Sequence, residues 1–256
     1  MANCAICYNA SNRYSAAVTA LTASSVASAL PAANSQDPDR RKVFRSGTVS
    51  VAVTIDVDTG PSQAADTFAA CNLRLFSGGA VELYDRGTGG APGAATLVAT
   101  LPAADATSGV AFVQFGSRSA RHWQIKFTNP SLVAGYVELG FAFIGPALTP
   151  TVNVSEPLGL ERNDPSVAGV SLDGQKTFAV RTQYLSGSLE FYKVGTTDRA
   201  NLDAVFSSNG VRTPFFFILD PATSWQAWLV RLTDKWAIGL VGVNLFTYQA
   251  SIEEVR

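Results

Sequence analysis

His122 is the only histidine in the chain, so general acid–base catalysis and histidine-based metal binding have a single side chain to draw on. It stands in RSARHWQIKF beside Trp123, where a half-exposed strand residue is expected. Two carboxylate pairs, Asp56 with Asp58 and Asp37 with Asp39, have the residue types that glycoside hydrolysis uses as acid and as base or nucleophile. Acids at strand edges and turns are also ordinary surface residues, and no catalytic residue is assigned. Cys4 and Cys7 form a CxxC, but neither a second CxxC nor a suitably spaced histidine follows. Free thiols are therefore expected and no metal site is assigned. Residues 84–97, YDRGTGGAPGAATL, are glycine-rich but lack the Gly-Lys-Ser/Thr ending of a phosphate loop. They read as a long hairpin connection, and no cofactor is expected. The cluster Arg40, Arg41, Lys42 and Arg45 could meet phosphate or a sialylated glycan, but Asp37 and Asp39 flank it. A solvated loop with local ion pairs is the expectation. Trp225, Trp228 and Trp236, with Trp123 and Tyr136 earlier, would stack on sugar rings if exposed; core positions are expected for most of them.

The elements that must carry these residues are short and extended. Strands are expected at 48–57, 67–76, 80–85, 96–101, 110–115, 122–128 and 136–144, separated by turns, the pattern of an antiparallel sandwich or jelly roll. In TVSVAVTIDV the alternation puts Val49, Val51, Val53, Ile55 and Val57 on one face and leaves Thr54 and Asp56 on an exposed one. Prolines 146, 150, 157 and 165 gather with turn residues, which reads as a linker. The division is then a sandwich over 1–147, a linker over 148–170 and a β-rich α+β unit over 171–256. In that last unit, strands at 176–183 and 187–194 surround a hairpin-like LSG. A helix follows, with Thr197 as candidate N-cap, Asp198 in its first turn, Leu202, Val205 and Phe206 as its apolar set and Gly210 as its stop. Strands at 225–232 and 238–252 follow the stretch RTPFFFILDP, 212–221. Residues 215–219 do not alternate, so both faces of this segment require cover, either the chain's own core or a second copy.

The totals exclude several partners. With 19 Lys+Arg against 20 Asp+Glu the net charge is -1, so neither specific nucleic-acid contact nor attraction to an anionic membrane is expected. No apolar run approaches the ~20 residues of a membrane span, and no membrane insertion is expected. The opening residues lack a basic region followed by a sustained apolar run, and the three cysteines are odd in number; synthesis in a reducing bacterial cytoplasm is the expectation. Only 15% of residues are charged while 47% are hydrophobic, which favours extensive burial, including burial between subunits.

Residues 19–147 resemble the discoidin-type, galactose-binding-like jelly roll. The matching stretches are VTALTASSVASALPAANSQDPDRRKVFRS, IDVDTG, FAACNLRL and RHWQIKFTNPSLVAGYVELGFAFIG: an aromatic-Arg-Ser, a strand ending in Asp-x-Gly, and closing strands that carry an aromatic and end in glycine. The resemblance implies a fold and carries over no ligand contact, because the ligand loops of that family are hypervariable. Residues 171–256 resemble the ring-forming β-domain of bacteriophage distal tail proteins. Their matching features are a hairpin, a helix ending at Asn-Gly, the TPFFFILDP strand and the closing strand FTYQASIEEVR. That resemblance implies a structural, non-enzymatic component of a virion tail tip or baseplate, ringing the tail channel as a hexamer or trimer and displaying the sandwich outward. It also implies tail-tip and tail-tube proteins as partners, a host surface glycan as a further one, and a subunit interface that includes Phe215, Phe217, Thr247 and Gln249. The alternative function is that of a carbohydrate-binding module or lectin.

Overall fold

The computed structural model describes residues 3–16, 19–47, 52–74, 79–103, 109–128, 135–155, 158–170, 175–223, 226–234 and 236–256. It is mainly β with one α-helix, as the sequence patterns require. In chain order the strands are β1 (Ala5–Cys7), β2 (Ala20–Ala23), β3 (Phe44–Arg45), β4 (Val53–Cys71), β5 (Ala80–Asp85), β6 (Thr96–Leu101), β7 (Val110–Thr128), β8 (Glu138–Leu139) and β9 (Ala142–Gly145). They continue with β10 (Gly159–Asn163), β11 (Val167–Val170), β12 (Lys176–Ala179) and β13 (Tyr184–Val194), then helix α1 (Thr196–Asn209). The last four are β14 (Phe215–Ile218), β15 (Ala227–Leu232), β16 (Ala237–Gly242) and β17 (Leu245–Glu254).

The jelly roll is built on the order β2-β4-β7-β5-β6, with β9 on the free edge of β4's second half and the small pair β3–β8 beside it. The segments expected at 110–115 and 122–128 are one bent strand, and β4 runs on from the expected 48–57 into 67–76; the two pair along their length through register shifts near Gln63 and Thr67. Residues 48–51 and 75–76 of those expected strands lie outside the described residues. Alternation works as read: Val53, Ile55 and Val57 meet Trp123, Ile125 and Phe127 in the sandwich core, while Thr54, Asp56 and Asp58 point outward.

The second sheet has the order β1-β14-β15-β17-β13-β10, with β16 also on β17. One face holds Phe215, Phe217, Val230, Tyr248 and Ile252 under Leu202 and Val205 of α1. Helix α1 begins two residues earlier than expected, capped at Gly195 rather than Thr197, with no side-chain bond. Asp198 turns inward and accepts the Thr151 backbone N–H at 2.8 Å. The helix stops at Gly210, whose φ of +54° is a left-handed conformation that glycine adopts without a Cβ penalty.

The other face of β14 answers the question set by the phenylalanine run. Phe216, Ile218, Ala227 and Leu229 form a third core with Ala69, Cys71, Val110, Phe112, Phe141 and Phe143 of the jelly roll. Phe216 stacks on Phe141 with ring centroids 5.5 Å apart and planes within 8°. Both faces are thus covered within one chain. The assignment of Phe215 and Phe217 to a subunit interface is corrected accordingly: they are buried beneath α1 and have no surface to offer a second copy.

Four other expectations differ. Residues 5–7, counted with the first unit, pair with Phe216–Ile218 of the second sheet, because a three-residue strand is too short to show a period. Within the expected linker, Val154 is buried in the second core and β10 is that sheet's edge strand, so these two parts of it are structure rather than free connection. The LSG at 185–187 lies inside β13; β12 pairs with β11 instead, and residues 171–174 between them are outside the described residues. The expected strand 238–252 is the hairpin β16–β17, turned at Asn244 with φ +57°.

Candidate functional site

The outward face of the jelly-roll sheet brings several of the chemically interesting residues into two lateral rows. Strand register sets Ala20 opposite Asp58 and Asp58 opposite His122; two residues along, Thr22, Asp56, Gln124 and Tyr84 lie side by side. Residues two apart on a strand share a face, so Asp56 and Asp58 stand together there, as do His122 and Gln124. The glycine-rich connection between β5 and β6 then folds back over the end of β7. Gly87, with φ +97°, turns its carbonyl to accept the backbone N–H groups of Arg121 and His122 at 3.1 and 3.0 Å, and Arg86 N–H donates to the His122 carbonyl at 2.8 Å. Only glycine takes that φ without strain, which is one reason this loop needs its glycines.

The result is a cleft of about 260 Å³ walled by Ala20, Thr22, Asp56, Asp58, Arg86, Pro92 and His122, with the Val57 and Trp123 positions beneath. Arg86 donates from Nη1 to Asp56 Oδ1 at 3.1 Å, and Gln124 Nε2 donates to the same oxygen at 2.7 Å. No hydrogen bond among the described residues reaches Asp56 Oδ2. Asp58 accepts a two-pronged bond from Arg121, Nε at 2.8 Å and Nη2 at 2.9 Å, and a third from Gly60 N–H at 2.9 Å. These donors favour the charged form, the Arg121 bond foremost, and hold the Asp58 carboxyl down at about 2.

His122 is 6% exposed rather than half-exposed, because the loop covers it. Its Nε2 lies 3.0 Å from the Gly89 carbonyl; a carbonyl only accepts, so Nε2 carries the proton and the ring is committed to holding the loop. Nδ1 lies 4.0 Å from Asp58 Oδ1. Asp58 is ionised throughout the neutral range, so it lacks the raised proton affinity that a glycosidase's acid requires.

The remaining candidates separate from this cleft. Asp37 and Asp39 pair with Lys42 and Arg41, the local ion pairs expected of that loop, whereas Arg40 reaches across to the Val255 carbonyl at 2.7 Å and Arg45 pairs with Glu138. Cys4 and Cys7 sit three apart on an extended segment and so enter different cores. Burial pushes the Cys4 thiol up to about 12 and that of Cys71 to about 11. Among the described residues no group of three His, Cys, Asp or Glu is placed to hold a metal, and no helix is long and apolar enough to cross a membrane. Trp123 is core, Trp228 and Trp236 are half-buried against the second core, and Trp225 lies outside the described residues. Thr247 is half-buried opposite Gly239, and Gln249 is exposed on β17.

No protein-family model matches the chain, and no curated protein matches it. Solved structures do resemble part of it. Chitosan-binding module 1 from the chitosanase/glucanase of Paenibacillus sp. IK-5 is 21% identical over 52% of this chain and 97% of its own, with a TM-score of 0.44. The family 32 carbohydrate-binding module of C. perfringens NanJ, solved with galactose, is 16% identical over 52% and 97%, at 0.43. The GH29 fucosidase of Ruminococcus gnavus, solved with fucose, is 13% identical over 55% of this chain but 28% of its own, at 0.46. Likenesses this distant assign no ligand to the cleft, whose chemistry has to be read from its own side chains.

Sequence reasoning had singled out Asp56, Asp58, His122 and the glycine-rich stretch separately. Arg86, Arg121 and Gln124 were missed, since an arginine or glutamine on a polar strand face has no distinguishing period. The one available signal was the position of Arg86 at the head of a glycine-rich loop.

Proposed function

We propose that this protein is a non-catalytic carbohydrate-binding protein whose jelly roll holds a polyhydroxylated ring in the cleft of Asp56, Arg86 and Thr22. The observation that carries this reading is the fixed pairing of acceptor and donor at an open cleft. Asp56 keeps one oxygen without a protein donor among the described residues, while the Arg86 guanidinium bound to the other is itself anchored at the Gly93 carbonyl, 3.2 Å away. A sugar hydroxyl both donates and accepts, so adjacent hydroxyls match a carboxylate set beside a guanidinium, and the charged partners make the bonds stronger than neutral ones. Ala20 and Pro92 supply small apolar contacts for ring C–H groups. The volume falls below the about 300–1,000 Å³ of drug-sized sites, which suits one sugar ring rather than a long chain. Binding without turnover accords with the low proton affinity of Asp58. The test is a glycan array followed by calorimetry on the best ligand. Asp56→Ala and Arg86→Ala should each weaken binding about tenfold or more, a loss of about 1.4 kcal/mol or more. Unchanged affinity in both variants, or no glycan bound at all, would remove this reading.

A second reading, a structural component of a phage tail tip, is favoured by the hairpin β16–β17. Ile238, Leu240 (73% exposed), Val243 (90%) and Leu245 are open to solvent, and the outer edge of β16 pairs with no strand among the described residues. An apolar edge strand without lysine or proline is a surface that natural proteins cover, here by further copies or neighbouring tail proteins. Detection of the protein in purified particles, or a ring-sized mass in solution, supports this reading; a monomer absent from particles removes it.

A further inference from the structure

A second cavity, of about 360 Å³, lies where the jelly roll meets the second sheet, walled by Asp37–Asp39 with Arg41 from one side and by Arg212, Pro214, Arg231 and Val255 from the other. Three guanidinium groups line it. Arg41 is held by Asp39 through Nε and Nη2, and Arg231 by Glu253 through the same atoms, so each keeps Nη1 for another acceptor. Arg212, on the turn after α1, makes no hydrogen bond or ion pair among the described residues, and its whole donor fork is unused. The carboxylates on this wall are already committed: Asp37 to Lys42, Asp39 to Arg41 and Glu253 to Arg231. The uncommitted charge is that of Arg212. Guanidinium donors in a concave site recognise planar or tetrahedral oxyanions in two-pronged fashion.

We propose that this junction is a binding site for an oxyanion group, sulfate or carboxylate, carried on an acidic saccharide chain, with Arg212 as its principal contact and the free Nη1 groups of Arg41 and Arg231 beside it. The cavity is larger than a bare oxyanion, and Pro38 and Pro214 give it apolar flanks on which the carrier can lie. Because its walls come from both units, the site exists only when they are docked. It is independent of the Asp56 cleft and stands or falls without it.

The test uses the full chain, a sulfated oligosaccharide, its desulfated counterpart and inorganic sulfate, measured by calorimetry in about 50 mM salt, where exposed charges are weakly screened. The expected results are binding of the sulfated oligosaccharide, at least tenfold weaker binding of the desulfated form, and weaker binding of inorganic sulfate. Arg212→Gln should lose about tenfold or more, and Arg212→Lys less. Arg212 is exposed, so these variants keep the fold, which a melting curve verifies. Equal affinity in the parent and Arg212→Gln, or equal binding of the sulfated and desulfated forms, would overturn the proposal. Inorganic sulfate binding as tightly as the oligosaccharide would overturn the assignment of a saccharide carrier.

Discussion

Phe216 is the residue through which the two units are held together, and Phe216→Ala tests that arrangement quantitatively. The side chain is fully buried, stacked on Phe141 and packed with Phe143, Ile218 and Leu229. Truncating a buried phenylalanine loses its transfer free energy and leaves a cavity, together about 3–5 kcal/mol. Neighbours from two different units cannot easily collapse into that cavity, since each is pinned by its own sheet. The upper half of the range, about 4 kcal/mol, is therefore expected, and at about 2–4 °C per kcal/mol for a chain of this size the melting temperature falls by about 8–16 °C. The stacked geometry adds a coupling term: in the cycle with Phe141→Ala, the double variant should lose about 0.5–1.5 kcal/mol less than the sum of the single losses. Urea unfolding gives the free energies. Calorimetry should also show the single transition of the parent broadening or splitting, as the jelly roll and second sheet lose their shared core. A cost below about 1 kcal/mol, or strict additivity with Phe141→Ala, would show that the junction is not a packed core.

Three further outcomes follow from the same structure. Asp58 has its carboxyl held at about 2 by the Arg121 bonds, below the ordinary 3.8. Its contribution to stability is present above that ordinary value and lost as pH falls toward 2, so the deficit of Asp58→Asn measured by urea unfolding should be largest near neutrality and vanish near pH 2; a pH-independent deficit refutes the pairing. Glu254 is shifted the other way, pushed up by burial. Its ionisation costs more in the folded than in the unfolded chain, so the parent loses stability as pH rises through the folded value. Glu254→Gln should gain on the parent as pH rises above the ordinary 4.5, and a constant difference refutes it. Leu240→Lys should abolish any self-association seen by light scattering while changing stability by no more than about 0.5 kcal/mol. It is a cleaner probe than Thr247, whose hydroxyl is buried without a partner. Undiminished association would take β16 out of the interface.

What was legible in the sequence was what repeats along the chain. Strands 80–85 and 96–101 were placed at their ends, alternation put Val53, Ile55 and Val57 inward, and Gly210 marked the helix stop. The failure of 215–219 to alternate announced burial on both faces, yet composition has no means of saying which surface provides it. Jelly-roll residues Phe141 and Phe143 lie more than seventy positions from Phe216 in the chain. The same limit hid the junction of β1 with β14, a pairing made by three residues without a period.

The cleft shows the limit most clearly, and shows where it was partly overcome. Asp56 and Asp58 were visible as a pair because two-residue spacing on a strand is itself a statement about a shared face. Whether that pair acts as acid and base depends on which cations stand beside it, and this is decided by register between strands and by the return of one loop. A shift of β7 by one residue would send His122 and Gln124 into the core and bring Trp123 out to the carboxylates, reversing every chemical property of the site. The core residues Trp123, Ile125 and Phe127 of β7 forbid that shift, because each would then face water. The hydrophobic pattern that builds the sandwich thus also assigns the cations: Arg86 to Asp56 and Arg121 to Asp58. Paired this way, both carboxylates serve as fixed hydrogen-bond acceptors, which is the property a sugar-binding cleft requires and a hydrolase's acid lacks.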